Sequence, residues 1–410
     1  MADFQQADFV IMGLQSWDIE IGSNCKNIAM ELAKNHRVLY INRALDRASI
    51  IRQRNDKKVK ARVKALRNND LALMPVMKNL WVLNPAVVLE SINWVTSTRI
   101  FDRLNRINGV RLSRSINRGI AALDFKQTIL FVDNDFIRGR YLKELVKNDL
   151  TVYYIRDYLT DQPYFKKHGS RLERALLKKA DVSLANSSYL AQYASQYQTH
   201  AYDIGQGCDL TAFAQSPPAV PEDLLVFKKP IIGYVGALLS SRLDIDLIDG
   251  VAQDQPDWTI ILVGPEDDAF KNSKLHQRAN VHFLGEKAND QVPSYVYGFD
   301  VCINPQLVNT MTQGNYPRKI DEYLAAGKPV VATATETMRS FVPYVYLCQG
   351  VSDYISSIKG ALQETNNESL RQQRKEFAFS HTWEKSVTKM MEYIQHVGSI
   401  TNEQEDEKRR

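Results

Sequence analysis

The 410-residue sequence has few cysteines and no long apolar stretch. The four cysteines are far apart and form no Cys-x-x-Cys pair, so neither a zinc site nor a disulfide framework is predicted; they are Cys25, Cys208, Cys302 and Cys348. No apolar stretch approaches the roughly 20 residues that cross a bilayer. The beginning, MADFQQADFVIMG, lacks the basic segment and cleavage site of a signal peptide. We therefore expect a cytoplasmic protein with reduced thiols.

Short apolar segments that alternate with helical segments run through the whole chain. In the first half they are DFVIMGL, HRVLYIN, LWVLNP, QTILFVD, LTVYYIRD and ADVSLAN. In the second half they are PIIGYVG, WTIILVG, NVHFLG, FDVCINP, KPVVAT and YVYLC. Wholly apolar strands separated by helices are typical of parallel sheets that are covered on both faces.

The alternation stops at a proline-rich segment, AQSPPAVPEDLLVFKKP, and then begins again. Because prolines do not continue a helix or a central strand, residues 214–229 are predicted to be a linker. We predict an α/β protein of two doubly wound, Rossmann-like domains, residues 1–213 and 230–381. A closing helix at about 382–397 and a disordered charged tail at 398–410 follow. Open parallel sheets bind ligands at the carboxyl ends of their strands, so the domains are expected to face a shared cleft.

The segment GNYPRKIDEYLAAGKPVVAT, residues 314–333, carries the clearest chemistry. A helix is predicted to begin after Pro317 and to end at Gly327. Lys319 adds a positive charge to the first turn, where backbone N–H groups suit a phosphate. Glu322 follows on the same face and can accept two hydrogen bonds from a ribose diol. The alternative is an ordinary Lys–Glu pair on a helix surface.

The sequence PRKIDEYLAAGKPVVAT resembles the nucleotide-sugar segment of GT-B glycosyltransferases of the large family-4-like group, the glycosyl transferases group 1. Further similar segments occur in the same order, and the resemblance is specific from about Ala180 to Ile394. They are GQGCDLTAF, GYVGALLSSRLDIDLI, NVHFLGEKANDQVPSYVYGFDVCINP and SHTWEKSVTKMMEYI. The resemblance implies that residues 1–213 bind the acceptor, that residues 230–381 bind the donor, and that the closing helix returns to the first domain.

The same resemblance implies further donor-side residues. Gly236 ends a strand where a side chain would block a ligand, and Arg242 corresponds to a basic residue that relatives set against the diphosphate. The remaining candidates are Leu284 and Gly285 for the base, and Thr310, Gln313 and Asn315 for the sugar. Their alternatives are a solvated arginine, strand-end packing and an ordinary polar loop.

The sequence departs from the family pattern at Gly314, where many relatives have a glutamate near the donor sugar. Retention or inversion at the anomeric carbon therefore stays open. The nucleotide loop contains no Asp-x-Asp pair, so metal independence is expected. No cofactor is expected beyond the nucleotide-diphosphate sugar, UDP- or GDP-linked, as co-substrate.

Carboxylates after the predicted strands of the first domain are candidates for the base that deprotonates an acceptor. They are Asp18, Glu20, Asp133, Asp135 and Asp157. Asp18 and Asp157 are preferred as catalytic residues because relatives have acidic or histidine side chains after the corresponding strands. Each aspartate is otherwise explained as a helix cap or a turn former. His168, beside two lysines, is predicted to be a solvated surface residue.

Basic residues cluster in the first domain. Residues 43–67 contain ten Lys and Arg against two Asp, and residues 99–118 contain six Arg against Asp102. Helical spacing puts Arg99, Arg103 and Arg106 on one face, with Ile100, Leu104 and Ile107 as the opposing apolar stripe. Such a helix can lie on an anionic membrane or contact the acceptor. A solvated face is the alternative, and nucleic acid is disfavoured because no recognised module accompanies the charge.

These observations predict a glycosyltransferase that acts on a glycan or lipid-linked acceptor in surface polysaccharide biosynthesis. It would be cytoplasmic, and peripheral on the inner face of the cytoplasmic membrane. Two alternatives remain: a nucleotide-sugar epimerase of the same architecture, and a non-catalytic sugar-nucleotide-binding protein, which the missing glutamate at Gly314 suggests.

Overall fold

The computed structural model describes residues 4–18, 22–67, 72–364 and 367–409, and the chain divides into two α/β units. The first unit takes the described residues up to Gly205 and from Trp383 onward, and the second takes Gln206–Thr382. Every apolar segment named above forms a strand, and the predicted α/β class with parallel sheets is confirmed.

The first unit is built on an eight-stranded sheet with the order β10-β9-β8-β7-β1-β2-β5-β4. Neighbouring strands are parallel except β4 and β5, which form an antiparallel pair at one edge. Strands β3 and β6 form a separate two-stranded sheet. The strands are β1 (Asp8–Gly13), β2 (Val38–Ile41), β3 (Leu45–Asp46), β4 (Ala72–Met77), β5 (Leu80–Asn84), β6 (Val88–Leu89), β7 (Thr128–Asp133), β8 (Leu150–Ile155), β9 (Val182–Ala185) and β10 (Ala201–Asp203).

Helices cover both faces of this sheet, and its central strands are therefore buried along their whole length. The helices are α1 (Asn24–Leu32), α2 (Arg47–Arg52), α3 (Lys57–Arg67), α4 (Thr98–Ala122), α5 (Leu142–Leu145), α6 (Gly169–Leu177), α7 (Ser188–Ser195) and, from the far end of the chain, α16 (Trp383–Arg409). Helices α4, α5, α6 and α7 pack on one face, and α1 and α16 pack on the other.

The second unit has a six-stranded, all-parallel sheet with the order β13-β12-β11-β14-β15-β16. Its strands are β11 (Ile231–Val235), β12 (Thr259–Val263), β13 (Val281–Gly285), β14 (Val301–Asn304), β15 (Val330–Thr333) and β16 (Val345–Cys348). Its helices are α8 (Glu222–Leu225), α9 (Ile245–Asp254), α10 (Asp268–Lys271), α11 (Val292–Gly298), α12 (Thr310–Gln313), α13 (Lys319–Ala325), α14 (Gly350–Gln363) and α15 (Glu368–Phe379). Successive strands are added toward one edge of the sheet from β11 to β13 and toward the other edge from β14 to β16, so the strand order reverses between the neighbours β11 and β14.

Two segments differ from the sequence prediction. Residues 214–229, predicted as a linker, lie in the second unit and contain α8, whose Leu224 is buried in that unit's core. The tail at 398–410, predicted as disordered, continues α16 through Arg409. Glutamate, glutamine, lysine and arginine are good helix formers, and they extend a helix that packing has already started.

The interior of the second unit leaves no room for a side chain at Gly233 of β11. A Cβ at this position would lie 2.1 Å from the ring of Phe299, which is fully buried. Gly360, within α14, is the opposite case, because the nearest atom to an added Cβ is Tyr346 Oη at 4.0 Å. The two glycines therefore allow a matched comparison of the same chemical change.

We expect Gly233→Ala to lower the free energy of unfolding by about 1–3 kcal/mol, because the buried ring has no free space to enter. Gly360→Ala should instead raise it by roughly 0.5–1 kcal/mol, because alanine favours a helix interior. Urea denaturation of both variants measures the two changes. Equal stability of Gly233→Ala and the parent would show that the strand and the Phe299 ring separate easily.

Candidate functional site

Two glycines in the second unit bring neighbouring strand ends unusually close. Gly236 directly follows β11 with φ +141°, and Gly264 directly follows β12 with φ +144°. A Cβ on Gly264 would lie 2.1 Å from the Gly236 carbonyl oxygen, and a Cβ on Gly236 would lie 2.7 Å from Lys319 Nζ. Both positions thus require glycine for backbone conformation and for space. The predicted importance of Gly236 has a geometric basis, although the space beside it holds a lysine of the chain itself.

Lys319 is the first residue of α13, and its ammonium group contacts Tyr234 of β11. Nζ donates a hydrogen bond to Tyr234 Oη and lies 3.9 Å from the centre of that ring. The predicted helix is confirmed, with Arg318 as its N-cap and Gly327 at φ +74° after its end. Lys319 therefore places its positive charge in the first turn of α13.

Burial dominates the electrostatics of this lysine. It lowers the pKa of Lys319 from 10.5 to about 7, while Glu322 raises the pKa and Arg242 lowers it. Burial likewise raises the pKa of Glu322, against the opposing effects of Arg318 and Lys319. Arg242 is exposed in the loop after β11. The structure therefore brings together three of the predicted donor residues, Lys319, Glu322 and Arg242, at the ends of β11 and β14.

Gly285, another predicted donor residue, lies at the same sheet edge, since its carbonyl oxygen accepts the Gly264 N–H at 2.9 Å. Leu284 is half-buried and Gly285 is exposed at the end of β13, where an added Cβ on Gly285 would meet no atom within 4 Å. Thr310 is exposed and Asn315 is half-buried. Gln313 is engaged within the unit, since its side-chain oxygen accepts the Glu336 N–H at 2.9 Å.

Gln313 lines a cleft of about 530 Å³ at the ends of β14, β15 and β16. Neither Lys319 nor Glu322 lines this cleft; its other polar lining residues are Asp244, Gln306, Thr333, Thr335, Glu336, Arg339 and Gln349. Since Lys319 and Glu322 do not line the cleft that contains Gln313, a contact between Gln313 and the donor sugar stays a prediction.

Sequence reasoning missed two residues beside this site. Tyr234 supplies the ring on which Lys319 lies, and its only signal is an aromatic residue within an apolar strand. Asn304, at the end of β14, is fully buried, and neither polar atom of its amide has a partner within the described residues. A buried amide without hydrogen bonds is costly. Its signal in the sequence is an asparagine between an apolar strand and Pro305.

In the first unit, an arginine joins two of the candidate carboxylates. Arg156 directly follows β8, and its Nε donates to Asp133 Oδ1 at 2.9 Å while its Nη1 donates to Asp157 Oδ2 at 2.9 Å. Asp133 ends β7 and is fully buried, and burial raises its pKa. A Cβ on Gly13, at the end of β1, would lie 2.8 Å from Asp133 Oδ2. Asp157 is thus held at the strand ends by an ion-pair chain.

The remaining acceptor-side candidates are also engaged. Asp18 accepts a hydrogen bond from Arg62 Nη2 of α3 at 2.7 Å, and Glu20 lies outside the described residues. Asp135 is buried in an ion pair with Arg138 at 2.7 Å. The structure does not show Asp18 and Asp157 in contact, and their catalytic role stays a prediction.

The prediction for His168 is wrong. Its side chain is 6% exposed, stacks on Phe101 with ring centres 4.0 Å apart, and bonds the Val95 carbonyl through Nε2 at 2.8 Å. The two lysines before it are exposed, but the histidine itself turns inward because the apolar face of α4 covers it.

Helix α4 also differs from its predicted geometry. Its buried face is formed by Phe101, Asn105, Asn108 and Leu112. Arg99, Arg103 and Arg106 are exposed as predicted, but Ile100 and Ile107 are exposed as well, at 55% and 38%. The isoleucines therefore flank the arginines at the surface instead of filling the core. None of the three arginines forms an ion pair within the described part of the chain.

Comparison with known proteins gives a family match and a set of similar folds. Residues 229–351 match the family described as Glycosyl transferases group 1. TuaH of Bacillus subtilis strain 168, whose provisional name is teichuronic acid biosynthesis glycosyltransferase, is 28% identical over 234 residues. That alignment covers 54% of this chain and 58% of TuaH, so the match spans less than two thirds of the relative.

Solved structures are similar over nearly the whole chain. Anabaena Alr3699/HepE in complex with UDP has a TM-score of 0.62 at 15% identity, covering 95% of this chain and 100% of HepE. Sucrose-phosphate synthase from Thermosynechococcus elongatus has a TM-score of 0.64 at 15% identity, covering 96% and 100%. The E. coli trehalose-6-phosphate protein bound with UDP-2-fluoro glucose has 0.67 at 10% identity, covering 95% and 99%. These likenesses confirm the GT-B type of fold.

The lowered pKa of Lys319 predicts a pH-dependent stability. Between about pH 7 and pH 10.5 the unfolded chain binds a proton that the folded chain has released, so the free energy of unfolding rises with pH. Relative to Lys319→Met, the parent should gain stability across this range in urea denaturation. Lys271→Met, at an exposed lysine, provides the control. A difference between parent and Lys319→Met that is constant with pH would mean that the ammonium group is solvated.

Proposed function

We propose that the protein transfers a sugar from a nucleoside diphosphate to a glycan acceptor, because residues 229–351 match the group 1 glycosyltransferases and the fold is of the GT-B type. The observation that carries this proposal is the first turn of α13, where Lys319 and Glu322 lie beside Gly236 and Arg242. UDP is the first nucleotide to test, because similar structures contain bound UDP or UDP-2-fluoro glucose.

The role of each donor residue follows from its charge and surroundings. A diphosphate beside Lys319 would favour the protonated ammonium, which burial alone disfavours, and so would offset the cost of that burial. Arg242 would add a second positive charge from the exposed loop after β11. Negative charge that develops on the departing nucleoside diphosphate would then be stabilised by two cations. Glu322 accepts no hydrogen bond from a side chain in the described residues, which leaves both oxygens for a ribose diol.

The acceptor is proposed to be a growing polysaccharide or a lipid-linked glycan. The name of TuaH supports polysaccharide biosynthesis, and the basic surface of α4 supports an anionic or membrane-borne acceptor. Asp157 and Asp18 are the proposed acceptor-side carboxylates. Each has one oxygen held by an arginine, at 2.9 Å and 2.7 Å, which fixes the carboxylate and leaves its second oxygen for an acceptor hydroxyl.

Contact with an anionic membrane is proposed for the exposed face of α4. Arg99, Arg103 and Arg106 are free of ion pairs within the described residues, and Ile100 and Ile107 flank them. Trp94 lies before the helix and is 75% exposed. Exposed arginines beside aliphatic and indole side chains suit the boundary between headgroups and acyl chains. Within the described residues, no helix is long and apolar enough to span a bilayer.

The donor site predicts two separable defects. Lys319→Ala and Glu322→Ala should each weaken UDP binding about ten- to hundred-fold, because each removes a charge-assisted hydrogen bond worth roughly 1.5–3 kcal/mol. Calorimetric titration should show that Glu322→Ala no longer prefers UDP to 2′-deoxy-UDP, whereas Lys319→Ala keeps that preference and loses most of the preference for UDP over UMP. Lys271→Ala is the control. Variants that fold and retain both preferences would contradict the assignment, and a parent that binds neither UDP nor GDP would contradict the donor class.

The membrane face predicts salt-sensitive binding to vesicles. Each basic residue near an anionic surface contributes about 1 kcal/mol, so the triple change of Arg99, Arg103 and Arg106 to Gln should weaken binding roughly hundred-fold. The Debye length is about 10 Å at 0.1 M salt, so high salt should also release the parent. Co-sedimentation with anionic and neutral vesicles measures both effects.

The charge-matched control for the vesicle experiment replaces Lys271, Lys274 and Lys359 of the second unit with Gln. It removes the same net charge from exposed positions and should bind vesicles as the parent does. Equal losses in the two triple variants would mean that only total charge matters. A parent that ignores anionic vesicles at every salt concentration would contradict a membrane role for α4.

A further inference from the structure

A hydrogen-bonded contact between a buried carboxylate and a histidine holds α13. Asp321 lies between Lys319 and Glu322 and is fully buried. Its Oδ1 lies 2.7 Å from His381 Nδ1, and Tyr316 Oη lies 3.1 Å from the same ring nitrogen. The carboxylate is thus fixed by a histidine that is 60 residues away in the sequence.

Aromatic rings restrict the orientation of His381. Phe377 meets the imidazole edge-on with ring centres 4.7 Å apart, and Phe341 and Tyr316 surround it at 6.2 Å and 6.4 Å. The imidazole therefore has little freedom to turn away from Asp321. An apolar residue at position 321 would avoid the free-energy cost of removing a carboxylate from water. Packing alone therefore does not explain the aspartate.

His381 also contacts the segment that begins the second unit. The chain passes between the units after Gly205 and again after Thr382. The His381 carbonyl oxygen accepts the Cys208 N–H at 2.9 Å, and the Cys208 thiol lies 4.0 Å from the Arg318 carbonyl oxygen. The two segments that connect the units, near Cys208 and near His381, are therefore hydrogen-bonded to each other, and Cys208 also contacts Arg318 at the beginning of α13.

We propose that His381 is a positioning residue for the donor helix, and that it links the first turn of α13 to both passages of the chain between the units. The link rests on the proposed function, because it acts through Lys319 and Glu322 on either side of Asp321. When a nucleoside diphosphate orders this first turn, the effect reaches His381 through Asp321 and reaches Cys208 through the hydrogen bond between its N–H and the His381 carbonyl. It reaches Thr382 through the peptide bond that joins this residue to His381.

Hydrogen exchange of the nucleotide-free protein tests the link without any ligand. His381→Ala should speed exchange in the first turn of α13 and at residues 206–210 together, relative to the rest of the second unit. His381→Asn should restore the parent rates, because an asparagine amide can donate to Asp321 from nearly the position of Nδ1. Glu364→Gln removes another ion pair of the same unit, with Arg374, and controls for general loss of stability.

Titration with UDP then separates the link from the proposed function. His381→Ala should weaken UDP binding roughly three- to thirty-fold, with recovery in His381→Asn and no change in Glu364→Gln. UDP should protect residues 206–210 from exchange in the parent and not in His381→Ala. Selective exchange changes with a parent that binds no nucleotide would support the link and overturn the donor assignment. Uniform exchange changes, or equal UDP affinity in all four proteins, would overturn the link.

Discussion

The close approach of the backbone after β11 to the backbone after β12 constrains the whole donor-side site. Gly236 and Gly264 have positive φ angles, and neither has space for a Cβ. That contact leaves a narrow volume over Tyr234, which the Lys319 ammonium group occupies. A cation in such a volume is poorly hydrated, and its lowered pKa records the cost. A nearby anion would offset this cost, so the desolvated ammonium group of Lys319 supports the proposed phosphate-bearing donor.

The first unit also buries a charge at a strand end, but this charge is negative. Its buried carboxylate, Asp133, ends a central strand and would be costly as an isolated charge. Arg156 compensates it and extends to Asp157 nearer the surface. The buried carboxylate of Asp133 thereby orients the half-buried carboxylate of Asp157 through Arg156, so a change at Asp133 would disturb Asp157 without direct contact. In both units a glycine at a strand end leaves space for a charged side chain. Gly236 leaves space for Lys319 in the second unit, and Gly13 leaves space for Asp133 in the first.

The sequence predicted the elements whose signals are local. Wholly apolar strands such as β7 and β8 were recognisable because burial on both faces requires an unbroken apolar run. Lys319 and Glu322 were recognisable because one short segment contains the strand, the turn and the helix. The edge strand β4, the inward turn of His168 and the exposure of Ile100 and Ile107 were not predicted, since each depends on which distant segment covers which face. Asp321 and His381 are 60 residues apart, and no spacing rule connects them.

Helix α16 has a consequence for the order in which the protein is made. Its residues Trp383, Val387, Met390, Ile394 and Val397 fill the core beneath the first unit's sheet, beside α1, and Gly398 lies against Phe4. The ribosome produces these residues only after the entire second unit. During synthesis the first unit therefore waits with one face of its sheet uncovered, while the second can fold at once as an uninterrupted segment. Nascent chains of this protein would expose a broad apolar surface to chaperones until Trp383–Val397 have left the ribosome. The unit that begins first in the sequence would therefore be completed after the second unit.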